Sequence, residues 1–195
     1  MTRFFFAPEE FVSDRVLLRC YRPGDGIDLN VATLESYEHL APWMPWATED
    51  QTTEESEKLV RTFCAQYLLS NDFVLAVRTP DDETYLGGSG FHLREGGLEM
   101  QSAEIGMWIR ASAAGQGIGT ATLTAMLDWG FEEWPWRRLA WRCDAENGAS
   151  RHIAEKCGLT EEGTLRRHTK TPQGEWRDTV CFAMLRDEWR EQQGQ

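Results

Sequence analysis

Residues Glu104 to Thr120 read E-I-G-M-W-I-R-A-S-A-A-G-Q-G-I-G-T, an apolar strand-like run that passes into glycines and then into an amphipathic helical pattern. Glycine at positions 115, 117 and 119 lets a backbone approach an anion closely, and the unpaired amides of Gln116 to Thr120 would add the positive end of a helix dipole. The chemistry open to such a segment is to hold a phosphate or pyrophosphate. A nucleoside-triphosphate loop would need Lys and Ser/Thr after its last glycine, whereas Gly119 is followed by Thr120 and Ala121. A triphosphatase is therefore disfavoured. The same glycines nearly match a dinucleotide fingerprint, with Thr120 where the third glycine belongs and Asp144 closing the next apolar run. A nicotinamide-dependent oxidoreductase should also show βαβ units in series. Here the glycines lie mid-chain after consecutive strand-like runs, which counts against it.

The other residues that carry chemistry are scattered. Cys20, Cys64, Cys143, Cys157 and Cys181 are odd in number and never in Cys-x-x-Cys spacing, so they indicate neither a disulfide framework nor zinc. His39, His92, His152 and His168 form no metal-ligand spacing, and each is expected as a structural side chain. No metal is expected. The formal net charge of -12 argues against direct nucleic-acid binding and fits a cationic acceptor, although solubility alone explains most individual carboxylates. No apolar run reaches the length of a membrane span, and Pro8, Glu9 and Glu10 interrupt the Phe4-Phe5-Phe6 patch. A cytoplasmic protein without membrane association is expected.

These residues must be positioned by a fold that the hydrophobic pattern outlines as one domain over residues 1–195. Arg15 to Tyr21 reads as a first strand, and helices follow over about Ile27 to Leu40 and Thr53 to Leu69, the second with a capped start at Thr52 to Glu55. Between them lies an aromatic loop broken by Pro42 and Pro45. Phe73 to Arg78, Tyr85 to Leu93 and Met100 to Arg110 read as an antiparallel meander. Gln116 to Glu133 is a helix stopped by Pro135, and Arg138 to Cys143 is a strand. A short helix over Arg151 to Cys157 ends at Gly158. Two last strands, Thr160 to Thr169 and Trp176 to Leu185, flank a Pro172-Gln173-Gly174 turn before a polar tail.

The resulting order is an α/β (α+β) arrangement: a mixed, mostly antiparallel central sheet of about seven strands flanked by helices. With Gly115-Gln-Gly-Ile-Gly119, Asn147-Gly-Ala-Ser150, Lys156-Cys-Gly-Leu159 and Glu162-Gly-Thr-Leu-Arg166, it resembles the GCN5-related N-acetyltransferase (GNAT) superfamily. Asp14-Arg-Val-Leu-Leu-Arg19, Pro42-Trp-Met-Pro-Trp46, Glu104-Ile-Gly-Met-Trp-Ile109 and Arg177-Asp178 make it similar to the RimJ/RimL branch, whose members acetylate ribosomal-protein N-termini. One departure is Ala114, where that loop usually opens with Gln or Arg.

The resemblance implies transfer of an acetyl group from acetyl-coenzyme A (acetyl-CoA), a cosubstrate, to a primary amine. The acceptor implied first is a protein N-terminal amine of the ribosomal-protein alanine type, on a basic ribosomal protein. A small amine, an antibiotic, or a non-catalytic acyl-CoA sensor are the alternatives, and monomer and homodimer both stay open. It places the pantetheine arm along Met107, Trp108 and Ile109, and the pyrophosphate on Gln116, Gly117, Ile118, Gly119 and Thr120. Asn147 would bind pantetheine or orient Ser150, and Ser150 would protonate the leaving thiolate. Both residue types also suit helix capping. Lys156, with Arg151, would meet the 3′-phosphate or adenine end, unless these are simply solvated. Glu104 is the expected general base, directly or through water, with substrate binding or a solvated strand face as the other roles; Glu99 is a weaker substitute. Trp43, Trp46 and Trp176 are expected to wall the acceptor cleft, against core packing or dimer contact. Glu35 and Glu38 would favour a cationic acceptor.

Overall fold

A computed structural model describes residues 5–171 and 174–194. Alternating apolar residues build one eight-stranded sheet in the order β1-β2-β3-β4-β5-β6-β8-β7. Its strands are β1 (Glu10–Val12), β2 (Leu17–Cys20), β3 (Phe73–Arg78), β4 (Tyr85–Gly96), β5 (Ser102–Ile109), β6 (Arg138–Asp144), β7 (Thr160–Lys170) and β8 (Trp176–Leu185). Every neighbouring pair is antiparallel except β5 and β6. The helices are α1 (Gly26–Glu35), α2 (Tyr37–Leu40), α3 (Thr53–Leu68), α4 (Gly97–Met100), α5 (Ile118–Glu132), α6 (Gly148–Lys156) and α7 (Arg186–Gln192).

Side chains alternate between two faces of the sheet, and each face acquires its own helices. On one, Leu29 and Ala32 of α1 and Val60 of α3 bury against Tyr21, Ala76 and Tyr85. On the other, Leu123, Met126, Leu127 and Trp129 of α5 bury against Leu75, Phe91 and Ile105. The second core is aromatic: the Trp134 ring lies 4.7 Å from Phe73, 4.9 Å from Phe91 and 5.3 Å from Trp129, and stacks on Trp136. Each such pair adds about 0.5–1.5 kcal/mol beyond its burial. The Trp134-Pro135-Trp136 segment therefore ends α5 and also turns two indoles into the core.

Several elements differ from the sequence reading for identifiable reasons. The first helical stretch is two helices, because buried Ser36 leaves the helical path and its hydroxyl accepts the amide of Ala111, 75 residues away. Strand β1 adds an eighth strand, held by its register on β2. The expected polar tail forms α7: Glu188 accepts the Leu185 amide, and Trp189 buries against Phe131 while donating to Asp128 at 2.8 Å. The Thr52 and Glu55 capping box of α3 is present as expected. The turn expected at 172–174 falls partly on residues outside those described.

Candidate functional site: a wedge between two parallel strands

The only parallel strand pair among the described residues separates. Strands β5 and β6 pair from Ser102↔Arg138 to Ile105↔Trp141 and no further, although β5 continues to Ile109 and β6 to Asp144. Each keeps its other neighbour, β5 pairing with β4 through Gly87↔Ile109 and β6 with β8 through Asp144↔Thr179. The two strands thus diverge from Gly106 onward, and β5 changes there from buried to half-buried. Backbone groups of residues 106–109 on the β6 side lose their sheet partner and need another, which a bound chain with amide groups can supply.

Helix α5 begins at the mouth of this wedge. Gly117 sits at its N-cap with φ 77°, no side chain caps the helix, and the first turn carries no acidic residue. The amides of Ile118, Gly119 and Thr120 point outward with the positive end of the dipole behind them. A β-carbon at Gly119 would lie 2.8 Å from Ile153 Cδ1, 3.6 Å from Met107 Cε and 3.8 Å from Ile109 Cγ1. Three elements, the start of α5, helix α6 and the open end of β5, therefore meet at this glycine. Met107 and Ile109 point to that side, while Trp108 points to the α1 and α3 face, so of the three only the backbone of Trp108 faces the wedge side with them.

Arg15, which sequence reasoning did not single out, adds charge to the loop. Its Nη2 donates to the Gln116 carbonyl at 3.0 Å, and Nη1 would lie 3.3 Å from a β-carbon on Gly117. Arg15 and Arg110 line a groove of about 410 Å³ with Thr79, Leu86, Gln116 and Ile118. Gln116 uses its side-chain amide on the Ser112 carbonyl. The signal for Arg15 was weak because it lies 101 residues from the loop it touches.

Across the wedge, Asn147 caps α6, its Oδ1 accepting the Ser150 amide at 3.0 Å. Capping is thus an observed role of Asn147, and its amide nitrogen is left for other partners. Ser150 Oγ accepts the Trp141 indole N–H at 3.1 Å, which ties α6 to β6 and leaves the hydroxyl hydrogen free to donate. Burial pushes the neighbouring Cys143 thiol above its usual range, so it stays protonated. Arg151 pairs with Glu161 at 3.7 Å, and Lys156 lies exposed in the last turn of α6, away from the helix start.

Glu104 is buried and doubly engaged. Arg94 donates to one oxygen at 2.8 Å and Arg142 to the other at 3.2 Å, with Glu95 also paired to Arg142. Glu99 lies in the first turn of α4. The same face of the sheet carries Gly88, Gly90 and Gly106, over which no β-carbon rises. Trp108 covers Gly88, and half-exposed Trp46 packs edge-on against Trp108 at 5.8 Å. Trp43 is half-buried in the same loop. Trp176 lies at the β7–β8 end, under Lys170 at 4.8 Å. Glu35 accepts from Arg110 and from the Ser112 amide, tying α1 to the turn before the glycine loop. Among the described residues no group of three or more His, Cys, Asp or Glu is arranged to hold a metal, and no helix is long and apolar enough to cross a membrane.

A splayed parallel strand pair with an uncapped glycine-led helix at its mouth offers unpaired backbone groups and helix-start amides that can hold an anion and an amide-bearing arm. Residues 15–160 match the family described as Acetyltransferase (GNAT) domain, and the chain belongs to that family. It is 26% identical over 179 residues, 91% of this chain and 95% of the relative, to YdaF of Bacillus subtilis (strain 168), named provisionally as a ribosomal N-acetyltransferase. Among solved structures it is similar to Mycobacterium smegmatis RimJ in complex with CoA-disulfide, with TM-score 0.79 and 28% identity over 89% of this chain and 83% of that one. It shares its fold with RimL, a ribosomal L7/L12 alpha-N-protein acetyltransferase in complex with coenzyme A, at TM-score 0.81 and 22% identity over 92% and 99% of the two chains. The protein is an acetyl-CoA-dependent N-acetyltransferase.

Proposed function

We propose that the protein acetylates the N-terminal amine of a protein, with a ribosomal protein as the first candidate. The observation that carries this reading is the wedge itself, open on one side to the α5 amides and bordered on the other by a sheet face where the Trp108 and His92 rings lie over glycines, with Trp46 packed against Trp108. Aromatic side chains beside the wedge grip an extended peptide at low entropic cost. The kinship with RimJ, RimL and YdaF points the same way. The net charge of -12 favours a cationic acceptor.

In this reading the pyrophosphate of acetyl-CoA lies on the amides of residues 117–120, with Arg15 supplying the positive charge that an Arg in place of Ala114 would bring. The pantetheine arm takes up the unpaired backbone of residues 106–109, with Asn147 facing it. The acceptor nitrogen attacks the thioester carbonyl, the C–S bond breaks, and Ser150 Oγ–H protonates the thiolate, its own proton replaced from water. The indole of Trp141 holds that hydroxyl in place. Glu104, with one oxygen accepting from Arg94 and the other from Arg142, is held in place by two guanidinium groups and keeps further lone pairs for a water or an amine.

The test is free-thiol release from acetyl-CoA with a panel of ribosomal-protein N-terminal peptides, polyamines and aminoglycosides. Highest kcat/KM on a peptide is expected. Turnover confined to small amines would overturn the acceptor, and coenzyme binding without turnover on any amine would favour a sensor.

A further inference from the structure

His92 and Asp72 form a pair that neither charge patterning nor spacing marks in the sequence. Asp72 ends the loop before β3 and His92 lies in β4, directly opposite Glu104. The Nδ1 of His92 is 2.8 Å from Asp72 Oδ2, and the other carboxylate oxygen accepts the Leu93 amide at 3.3 Å. A carboxylate only accepts, so it fixes the proton on Nδ1 and leaves a lone pair on Nε2 of the neutral ring. That Nε2 has no hydrogen-bond partner among the described residues. It lies over Gly106, where a β-carbon would be 2.8 Å away.

Gly106 is the first residue of β5 after the pairing with β6 ends, and the first that is half-buried rather than buried. The free nitrogen therefore stands at the apex of the wedge, on the face that carries Trp108 and Trp46. The histidine side chain is 17% exposed. Glycine at 90 and 106 is what lets the ring lie against the sheet here: a β-carbon at Gly90 would also approach Cε1, at 3.3 Å. Glu104, the carboxylate on the same face, has each oxygen in a guanidinium bond.

We infer that His92 is the catalytic base that takes the proton of the acceptor amine, with Asp72 as its positioning residue. As the nitrogen bonds to the thioester carbonyl carbon, its N–H proton passes to His92 Nε2. The resulting imidazolium is held beside the Asp72 carboxylate and releases the proton to water after product leaves. Glu104, with Arg94 and Arg142, fixes the floor on which this happens. The inference rests on acetyl transfer at the wedge and not on which amine is the acceptor.

The experiment measures thiol release with whichever amine of the panel the wild-type protein turns over fastest, so a wrong acceptor assignment leaves the test intact. His92→Gln, which removes the imidazole base, is expected to lower kcat about a hundredfold or more, the usual range for a lost general base, with the KM for acetyl-CoA within twofold. Asp72→Asn is expected to lower kcat about tenfold with the same KM. His92→Ala should regain activity when imidazole is added, which a packing role would not produce. His92→Gln within threefold of wild type would overturn the inference, and a hundredfold loss confined to Glu104→Gln would return the proton to Glu104. Loss of activity in His92→Ala that follows loss of thermal stability, without imidazole rescue, would reduce the pair to packing.

Discussion

The carboxylates of this protein are differentiated by what holds them. Glu35 accepts from the Arg110 guanidinium and the Ser112 amide, and the arginine first, then the serine, lowers its pKa from 4.5 to about 2. A folded-state pKa below the unfolded one means that the contact stabilises the protein fully above the unfolded value and is lost as pH falls through the folded one. Glu35→Gln is therefore expected to lower Tm most above about pH 5, with the gap to wild type closing toward about pH 2. Thermal melts over that range check it, and a constant gap would assign the loss to shape rather than charge. Because this contact braces the turn before the glycine loop, acetyl-CoA affinity should fall in the same variant.

At the scale of elements, glycines set how closely helices approach. Gly26 opens α1 where a β-carbon would lie 2.5 Å from the Glu57 Cα of α3, a backbone atom that cannot step aside. At Gly119 the closest atom is instead the end of the Ile153 side chain, at 2.8 Å, and a rotamer change can clear it. Overpacking of this kind costs about 1–3 kcal/mol. Gly26→Ala is expected at the upper end of that range and Gly119→Ala at the lower, read by urea unfolding of the two variants. The order carries the claim: equal losses would mean that α1 and α3 can move apart as easily as Ile153 can turn.

At the scale of the whole molecule, the net charge of -12 sets the sign of long-range attraction and, on the proposed function, favours a cationic acceptor. Raising salt from about 50 to 500 mM should lower kcat/KM several-fold for a basic peptide and little for a neutral one, because screening removes long-range attraction. Equal responses would place the selectivity in contacts within the cleft. Much of this architecture was legible in the chain, since its determinants are local. The ends of β3 and β8, the Thr52 and Glu55 cap of α3 and the glycine-led start of α5 depend on residues within a few positions of one another. The glycine loop was readable for the same reason. What only the tertiary structure decided are meetings between distant segments: the break at Ser36, the burial of Trp189 that makes α7, Arg15 against Gln116, the two arginines on Glu104, and Asp72 against His92. Alternation in sequence tells which side of a strand a residue takes, but not which strand will lie beside it or where two strands part. The candidate site stands at such a parting, so the glycine-led start of α5 could be read from the sequence alone, and the packing of the sheet decided which side chains surround the wedge.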